Sequence, residues 1–566
     1  MRLLVIGGVA GGASAAARVR RLDEHAEITI LERGAHVSFS NCSLPYYLGG
    51  IVAEEGDLVM MTPESFRIQY RIDVQVNTEA IAIDRAAKRV TARSVITGET
   101  REFAYDKLVL APGASPVMPK SIAGIDGERV FSVRNVTDIA RVKACMDQES
   151  TQNVTVVGGG FIGIEVAENL CRAGKRVTLL EGLDQVMTPF DYDMAQMFHR
   201  EIIDRGVDLR LGSTVTAIGP QGVTAQRNGE SFTVPADAVV MAIGVAPETA
   251  LARQAGLEIG DSGGIKVDRH MRTGDPDIYA VGDAAETTDL LTGKPGRLAL
   301  AGVAQKEARV AADNICGIVS VFRGFVGSSC LRVFGLNAAA AGLNERAAKA
   351  AGIPYDYVTV FASDKVGIMP DCRYLAFKLL FEVPTGRLLG AQAIGGGEAD
   401  KRINAVAALI GMGGTVEDLK EFEHCYAPLF ATAKDVVHMA ALTASNVLCG
   451  ALKQVHVSEV RSLVENGAYI VDVREADEFE AGHIKGAHNI PLSSLRENLD
   501  KIPRDIPVYL HCRSSQRSYY AYCALRGRGF DNVININGSF LGISLYEAFT
   551  DRQEGRAPIV TAYNFD

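Results

Sequence analysis

Ten cysteines are scattered along the 566 residues, at 42, 145, 171, 316, 330, 372, 425, 449, 512 and 523, with no C-x-x-C among them. That spacing offers neither a zinc cluster nor a disulfide framework, and it leaves most of them as small buried hydrophobes. No metal site is expected. Two cysteines stand where chemistry is plausible. Cys42 lies in "VSFSNCSLPYYLGG" (37–50), ten residues beyond Glu32, the acidic end of an apolar strand. Cys512 lies in "YLHCRSSQRS" (509–518), between an apolar run and a helix, with Arg513 and Arg517 close behind it. The thiolate is the nucleophile in either case, and its natural targets are disulfide, persulfide or peroxide.

The elements that must position Cys42 are nucleotide-binding ones. "RLLVI" (2–6), a glycine turn (7–12), a helix (13–22) and "EITILE" (27–32) make a strand–helix–strand unit. The order recurs at 153–182, where Gly158, Gly160 and Gly163 fit G-x-G-x-x-G. The first of these glycines permits a tight turn, the second a close approach of pyrophosphate, the third close helix packing. Glu181 follows Gly163 by 18 residues, where a carboxylate accepts from a ribose 2′-OH and repels a 2′-phosphate, so NADH is favoured over NADPH. A glycine turn without a ligand is the bland alternative, and strand, helix and acid in register argue against it. In the first copy Gly7 and Gly12 hold the outer positions, Val9 replaces the middle glycine, and Glu32 stands 20 residues after Gly12. Two copies imply two dinucleotide sites.

The bulk properties narrow the class. A net charge of −10 excludes a nucleic-acid binder, whose phosphate contacts need a basic surface. No apolar run is long enough to span a bilayer, so no membrane partner is expected. "MRLLVIGGVAGG" reads as a buried strand rather than a signal peptide, because glycines interrupt the run and no small-residue cleavage site follows. A cytoplasmic protein of three to five domains is expected.

On "SFSNCSLPYYLGG", "VLAPGASP" (109–116), "DIYAVGDAAE" (277–286) and the two glycine motifs, residues 1 to about 445 resemble the flavin-dependent pyridine nucleotide-disulfide oxidoreductases. The resemblance implies an α/β chain with two nested Rossmann-like domains. FAD would occupy 1–117 plus 247–321 and NAD 118–246, with an α+β dimerisation domain over 322–445 that makes a homodimer. It sets Asp283 at the ribityl chain and places Arg33, Pro112, Gly244 and Ala301 at the cofactors. Members with a redox disulfide carry C-x-x-x-x-C, and here the second position is Tyr47. The segment instead resembles S-F-x-N-C-x-L-P-Y of the single-cysteine coenzyme A disulfide and persulfide reductases. Through that branch Ser14, Arg18, Arg21, Ser38 and Asn41 would hold coenzyme A, with Lys434 reached from the partner subunit. Arg18 and Arg21 have a second reading as cations at a helix C-terminus. Tyr426, in "HCYAPLFATAKD" (424–435), matches a tyrosine placed near the partner's active cysteine, with a plain core tyrosine as the alternative. Where coenzyme A disulfide reductases carry Tyr-Tyr-Pro-Gly, this chain has Ile368-Met369-Pro370-Asp371. That departure counts against disulfide reduction and leaves persulfide reduction open, since sulfide is the better leaving group.

After a junction at 446–454, residues 455–566 resemble a rhodanese domain, on "YIVDVREADEFEAGHIKGAHNIPL" (469–492) and the Cys512 loop. That resemblance implies that Cys512 carries sulfane sulfur, with Arg513 and Arg517 drawing in an anionic donor and Asp472 and Arg474 bracing the loops. The H-C-x5-R signature of tyrosine phosphatases would need arginine at 518, which is Ser518. The expected activity is FAD-dependent reduction of a coenzyme A persulfide, polysulfide or disulfide by NADH through Cys42. Two other classes stay open: an NADH oxidase or peroxidase using a cysteine sulfenic acid, and a redox-sensing binding protein.

Overall fold

The computed structural model describes residues 1–565. The chain forms two compact units, one of residues 1–184 and 206–325, the other of residues 185–205 and 326–566.

The first unit is built on two parallel five-stranded sheets with the same internal logic. In one, β1 (Arg2–Ile6) lies between β2 (Glu27–Leu31) and the strand Lys107–Leu110, which pairs in turn with Ile278–Ala280. In the other, Asn153–Val157 lies between Arg176–Leu180 and Ala238–Met241. Strands of the first sheet flank the second in sequence, so one nucleotide fold is nested inside the other. Their β-branched and leucine runs are buried on both faces, as parallel strands covered by helices require. The helix expected over 13–22 begins earlier, as α1 (Ala10–Leu22). The glycines at 11 and 12 lie inside its first turns, where they act as small packing residues rather than as a loop.

The second unit joins a five-stranded antiparallel sheet (Ser329–Val333, Leu336–Gly342, Leu388–Gly395, Tyr374–Glu382, Tyr355–Ser363) to a smaller parallel sheet centred on Val508–His511. The helix Val436–Leu448 runs into the expected junction, so its first three residues are helical rather than linker. Segment 185–205, inside the span expected for the NAD domain, packs here. Lys378, buried in the antiparallel sheet, donates to Asp193 at 2.8 Å and Glu345 at 2.5 Å and lies 3.2 Å from Asp191. Thr359 N donates to Asn537 Oδ1 at 2.9 Å, tying the two sheets together. No helix of the described residues is long and apolar enough to cross a membrane.

Candidate active site

Each nucleotide fold turns its glycine motif in the same way. Gly7 and Gly158 have φ of +95° and +108°, the left-handed region, and a Cβ on either would lie within 2.4 Å of a backbone carbonyl. A Cβ on Gly12 or Gly163 would stand 1.8 Å from the carbonyl oxygen of Gly7 or Gly158. The middle position is different in kind. Gly160 and Val9 are the N-caps of their helices, both at negative φ, so a side chain is sterically allowed there, and a Cβ on Gly160 meets nothing within 4 Å. Val9 is therefore compatible with the fold.

The two acids are pre-positioned alike. Glu32 accepts from Gly8 N at 2.8 Å and Gly34 N at 2.7 Å; Glu181 accepts from Gly159 N at 2.6 Å and Leu183 N at 2.8 Å. Each carboxylate oxygen keeps a lone pair for a ribose hydroxyl. Beside the first motif a cleft of about 380 Å³ is lined by Gly7, Glu32, Arg33, Asn41, Pro112 and Asp283 among others. These residues fit a dinucleotide: a glycine turn too tight for a Cβ at Gly7 or Gly12, a helix N-terminus for pyrophosphate and an acid for ribose.

The other expected residues have these surroundings. Ala301 is the exposed first residue of the helix Ala301–Ile315, and Ala304, one turn on, lines the cleft instead. Gly244 has φ of +115° and accepts from Val117 N at 3.0 Å. Arg33 pairs with Glu79 and Glu248 at 3.7 and 3.4 Å. Ser14, Arg18 and Arg21 all lie on α1, but Arg18 is held by Asp313 at 2.8 Å and Arg21 is exposed. Ser38 takes φ of +49° and hydrogen-bonds through its backbone to Gly8 and Met60.

Cys42 sits in a 3-10 turn, Asn41–Ser43, that leads into α2 (Leu44–Leu48). Leu44, Pro45 and Leu48 are buried, and Gly49 packs so closely on the helix Phe161–Arg172 that a Cβ would lie 2.3 Å from Asn169 Oδ1. This anchoring leaves Cys42 exposed. Tyr46 reaches across to donate to Glu165 Oε1 at 3.1 Å. Burial pushes the Glu165 carboxyl up to about 7, with the Tyr46 hydrogen bond opposing. The Cys42 thiol is itself pushed up, first by desolvation and then by the charges of Glu165 and Asp283. The chain's own charges thus oppose the thiolate. Burial also raises Asp283, against the pull of Arg297 and Arg134, and lifts Glu307, which accepts from Gly282 N at 2.7 Å, to about 8.

Glu165, Glu307 and the cleft-lining Arg134 were not singled out from the sequence. Only Glu165 had a local signal, two positions after the last glycine of its motif.

In the second unit Tyr426 is 49% exposed and lies with Leu429 and Phe430 on an open apolar surface. Lys434 is exposed, and its carbonyl accepts from Thr432 Oγ1 at 2.8 Å. Cys512 is 1% exposed, and its backbone N donates to Ser539 Oγ at 3.3 Å. Asp472 and Arg474 form a buried bidentate pair, and Arg474 also donates to Gly482 O at 2.6 Å. The two loop arginines differ. Glu478 grips Arg517 through two bonds of 2.5 and 2.7 Å, while the Arg513 guanidinium has no partner among the described residues.

Nested nucleotide folds with a dinucleotide-sized cleft beside Asn41, the chain neighbour of Cys42, suit a redox enzyme. The chain belongs to the pyridine nucleotide-disulphide oxidoreductase family, which matches residues 1–308, and is accordingly a flavin-dependent oxidoreductase. The family's dimerisation domain matches 329–436 and a rhodanese-like domain 456–545. The chain is similar to coenzyme A disulfide reductase of Staphylococcus haemolyticus, at 32% identity over 79% of this chain and 100% of that one. Among solved structures it resembles reduced Bacillus anthracis CoADR-RHD, at 40% identity over 97% of this chain and 98% of that one, TM-score 0.94. It also resembles an NAD-dependent persulfide reductase from A. fulgidus, at 37% identity over 95% and 99%, TM-score 0.89.

Proposed function

We propose that the protein uses NADH to reduce a low-molecular-weight persulfide or polysulfide, coenzyme A persulfide foremost, through Cys42, with release of sulfide. The observation that carries this reading is the exposed Cys42 thiol set between the fields of Glu165 and Asp283, with no cysteine before Cys145 to resolve it. Bound FAD supplies the two-electron relay between nicotinamide and sulfur.

The chain's own residues do the rest. Glu32 and Asp283 hold the flavin nucleotide, and Glu181 selects NADH. Cys42 attacks the substrate sulfur, and Asn41 and Ser38 orient the thiol-bearing arm. Glu165, poised near pH 7 with Tyr46 on its carboxyl, stores or returns a proton beside the leaving sulfide. Arg18 and Arg21 hold the coenzyme A phosphates once Arg18 gives up Asp313. Tyr426 and Lys434 act on the partner's site in a homodimer, on the apolar surface that Leu429 and Phe430 expose. Cys512 accepts sulfane sulfur from a donor and passes it to coenzyme A, the carrier between sites in a cytoplasmic enzyme.

The test is anaerobic NADH oxidation with coenzyme A persulfide as sole acceptor, counting sulfide, with Cys42→Ser as control. Sulfide matched to NADH and lost in the variant supports the reading. No turnover until air is admitted assigns Cys42 to oxygen or peroxide chemistry instead.

A further inference from the structure

The Cys512 loop carries two guanidiniums, but the fold leaves only one of them uncompensated. Asp472 neutralises Arg474 within the buried wall behind the loop. Glu478 takes both terminal nitrogens of Arg517 in a fork-to-fork pair and stands in the capping box of the short helix Ala476–Ala481, which fixes its position. The hydrogen bonds from Arg517 lower the Glu478 carboxyl from its ordinary value. The Arg513 guanidinium has no partner among the described residues. Of Arg474, Arg513 and Arg517, Arg513 is thus the one with no carboxylate partner among the described residues.

We infer that Glu478 is a specificity-determining residue that cancels Arg517 and so tunes Cys512 to singly charged sulfane carriers over dianionic ones. The inference rests on the reading of Cys512 as a sulfane-sulfur acceptor. With a persulfide, the Cys512 thiolate attacks the terminal sulfur of R–S–S⁻. The new S–S bond forms as the donor's breaks, and R–S⁻ takes a proton from solvent to leave as R–SH. With thiosulfate the same bond forms and sulfite, a dianion, leaves. A dianion gains more than a monoanion from each uncompensated cation at the mouth, and loses more when a carboxylate cancels one.

The experiment follows persulfide loading of the Cys512 peptide by mass spectrometry in the full-length holoenzyme, with thiosulfate or the hydropersulfide of an uncharged alkyl thiol as donor. Glu478→Gln should raise the thiosulfate-to-hydropersulfide rate ratio about fivefold, as expected for one solvent-screened charge. Arg517→Gln, which strands Glu478, should lower the ratio, and Glu478→Asp should keep it near that of the natural protein. Opposite signs cannot arise from general loss of folding. An unchanged ratio in Glu478→Gln with Cys512 still loading overturns the inference alone. Absence of loading from any donor in the natural protein overturns the role of Cys512 and the inference with it.

Discussion

Tyr46 donates its phenolic hydrogen to Glu165 at 3.1 Å, joining the segment that carries Cys42 to the helix Phe161–Arg172, which follows the glycine motif of the second nucleotide fold. The two carboxyls that act on the thiol belong to different nucleotide folds, Glu165 to one and Asp283 to the other. Both carboxyls oppose ionisation of Cys42.

The first prediction concerns that field. Glu165 titrates near 7, so above that pH its charge holds the thiol up, and below it the charge is gone. Glu165→Gln removes the charge at every pH. Alkylation of Cys42 by iodoacetamide at pH 8 should be about threefold faster in the variant, and the two proteins should converge below pH 6. Equal rates at pH 8 would show that the Glu165 charge does not reach the sulfur.

The glycine motif gives two opposite outcomes one turn apart. A Cβ at position 163 would lie 1.8 Å from Gly158 O, whereas one at 160 meets nothing. Gly163→Ala should cost about 1–3 kcal/mol in stability by overpacking, read as a lower denaturation midpoint. Gly160→Ala should keep the midpoint and raise KM for NADH, because its open space faces the pyrophosphate path. A destabilised Gly160→Ala would contradict this division.

How much of this is legible in the sequence follows from the distance between partners. The two strand–helix–strand units and their acids read directly, because glycine spacing and strand length are local constraints. Val9 looks like a defect in the motif and is not one, since a helix N-cap at negative φ tolerates a side chain. Glu165, Glu307, Lys378 and Glu478 are ordinary charged residues until the fold brings them partners. Glu165 and Tyr46 are 119 positions apart, and Lys378 and Asp193 are 185 apart. Arg20 is buried and donates to five backbone carbonyls, including those of Tyr70 and Ala26, which nothing local to it reveals. Its neighbours Arg18 and Arg21 look equivalent in sequence and differ in every contact.

Lys378 carries the third prediction. Its ammonium sits among Asp191, Asp193 and Glu345 and 3.8 Å from the centre of the Tyr357 ring. Lys378→Met leaves three carboxylates facing one another, a loss of about 3–5 kcal/mol for a buried partner removed. Burial already raises Glu345, and Lys378 is what pulls it back. Without the lysine Glu345 rises further, so its folded value exceeds the unfolded one more widely and the neutral form is the one that suits the fold. The defect should therefore be largest at pH 8 and shrink toward pH 5 in urea denaturation. A loss of stability independent of pH would point to packing instead.

Glu181 tests cofactor choice. Two backbone N–H groups donate to the two carboxylate oxygens, so Glu181→Gln keeps one of these bonds, loses the other, and removes the charge that would repel a 2′-phosphate. The NADH-to-NADPH ratio of kcat/KM should fall about tenfold, mainly through KM for NADPH. A ratio that stays put would move cofactor selection to another residue of the second nucleotide fold.

The last prediction separates the two thiols. Cys42 is exposed beside the dinucleotide cleft, and Cys512 is buried in a loop of a different sheet, so they can be silenced independently. If Cys512 loads the carrier and Cys42 reduces it, Cys512→Ser should cut NADH oxidation with polysulfide or thiosulfate plus coenzyme A at least about tenfold, while turnover of preformed coenzyme A persulfide stays intact. Cys42→Ser should abolish both. Because the serine at 512 keeps size and hydrogen bonding, with Ser539 alongside, a general loss of folding would appear as a fall on both acceptors. Equal loss in Cys512→Ser with an unaltered denaturation midpoint would end the carrier scheme and leave Cys42 as the thiol on which every acceptor depends.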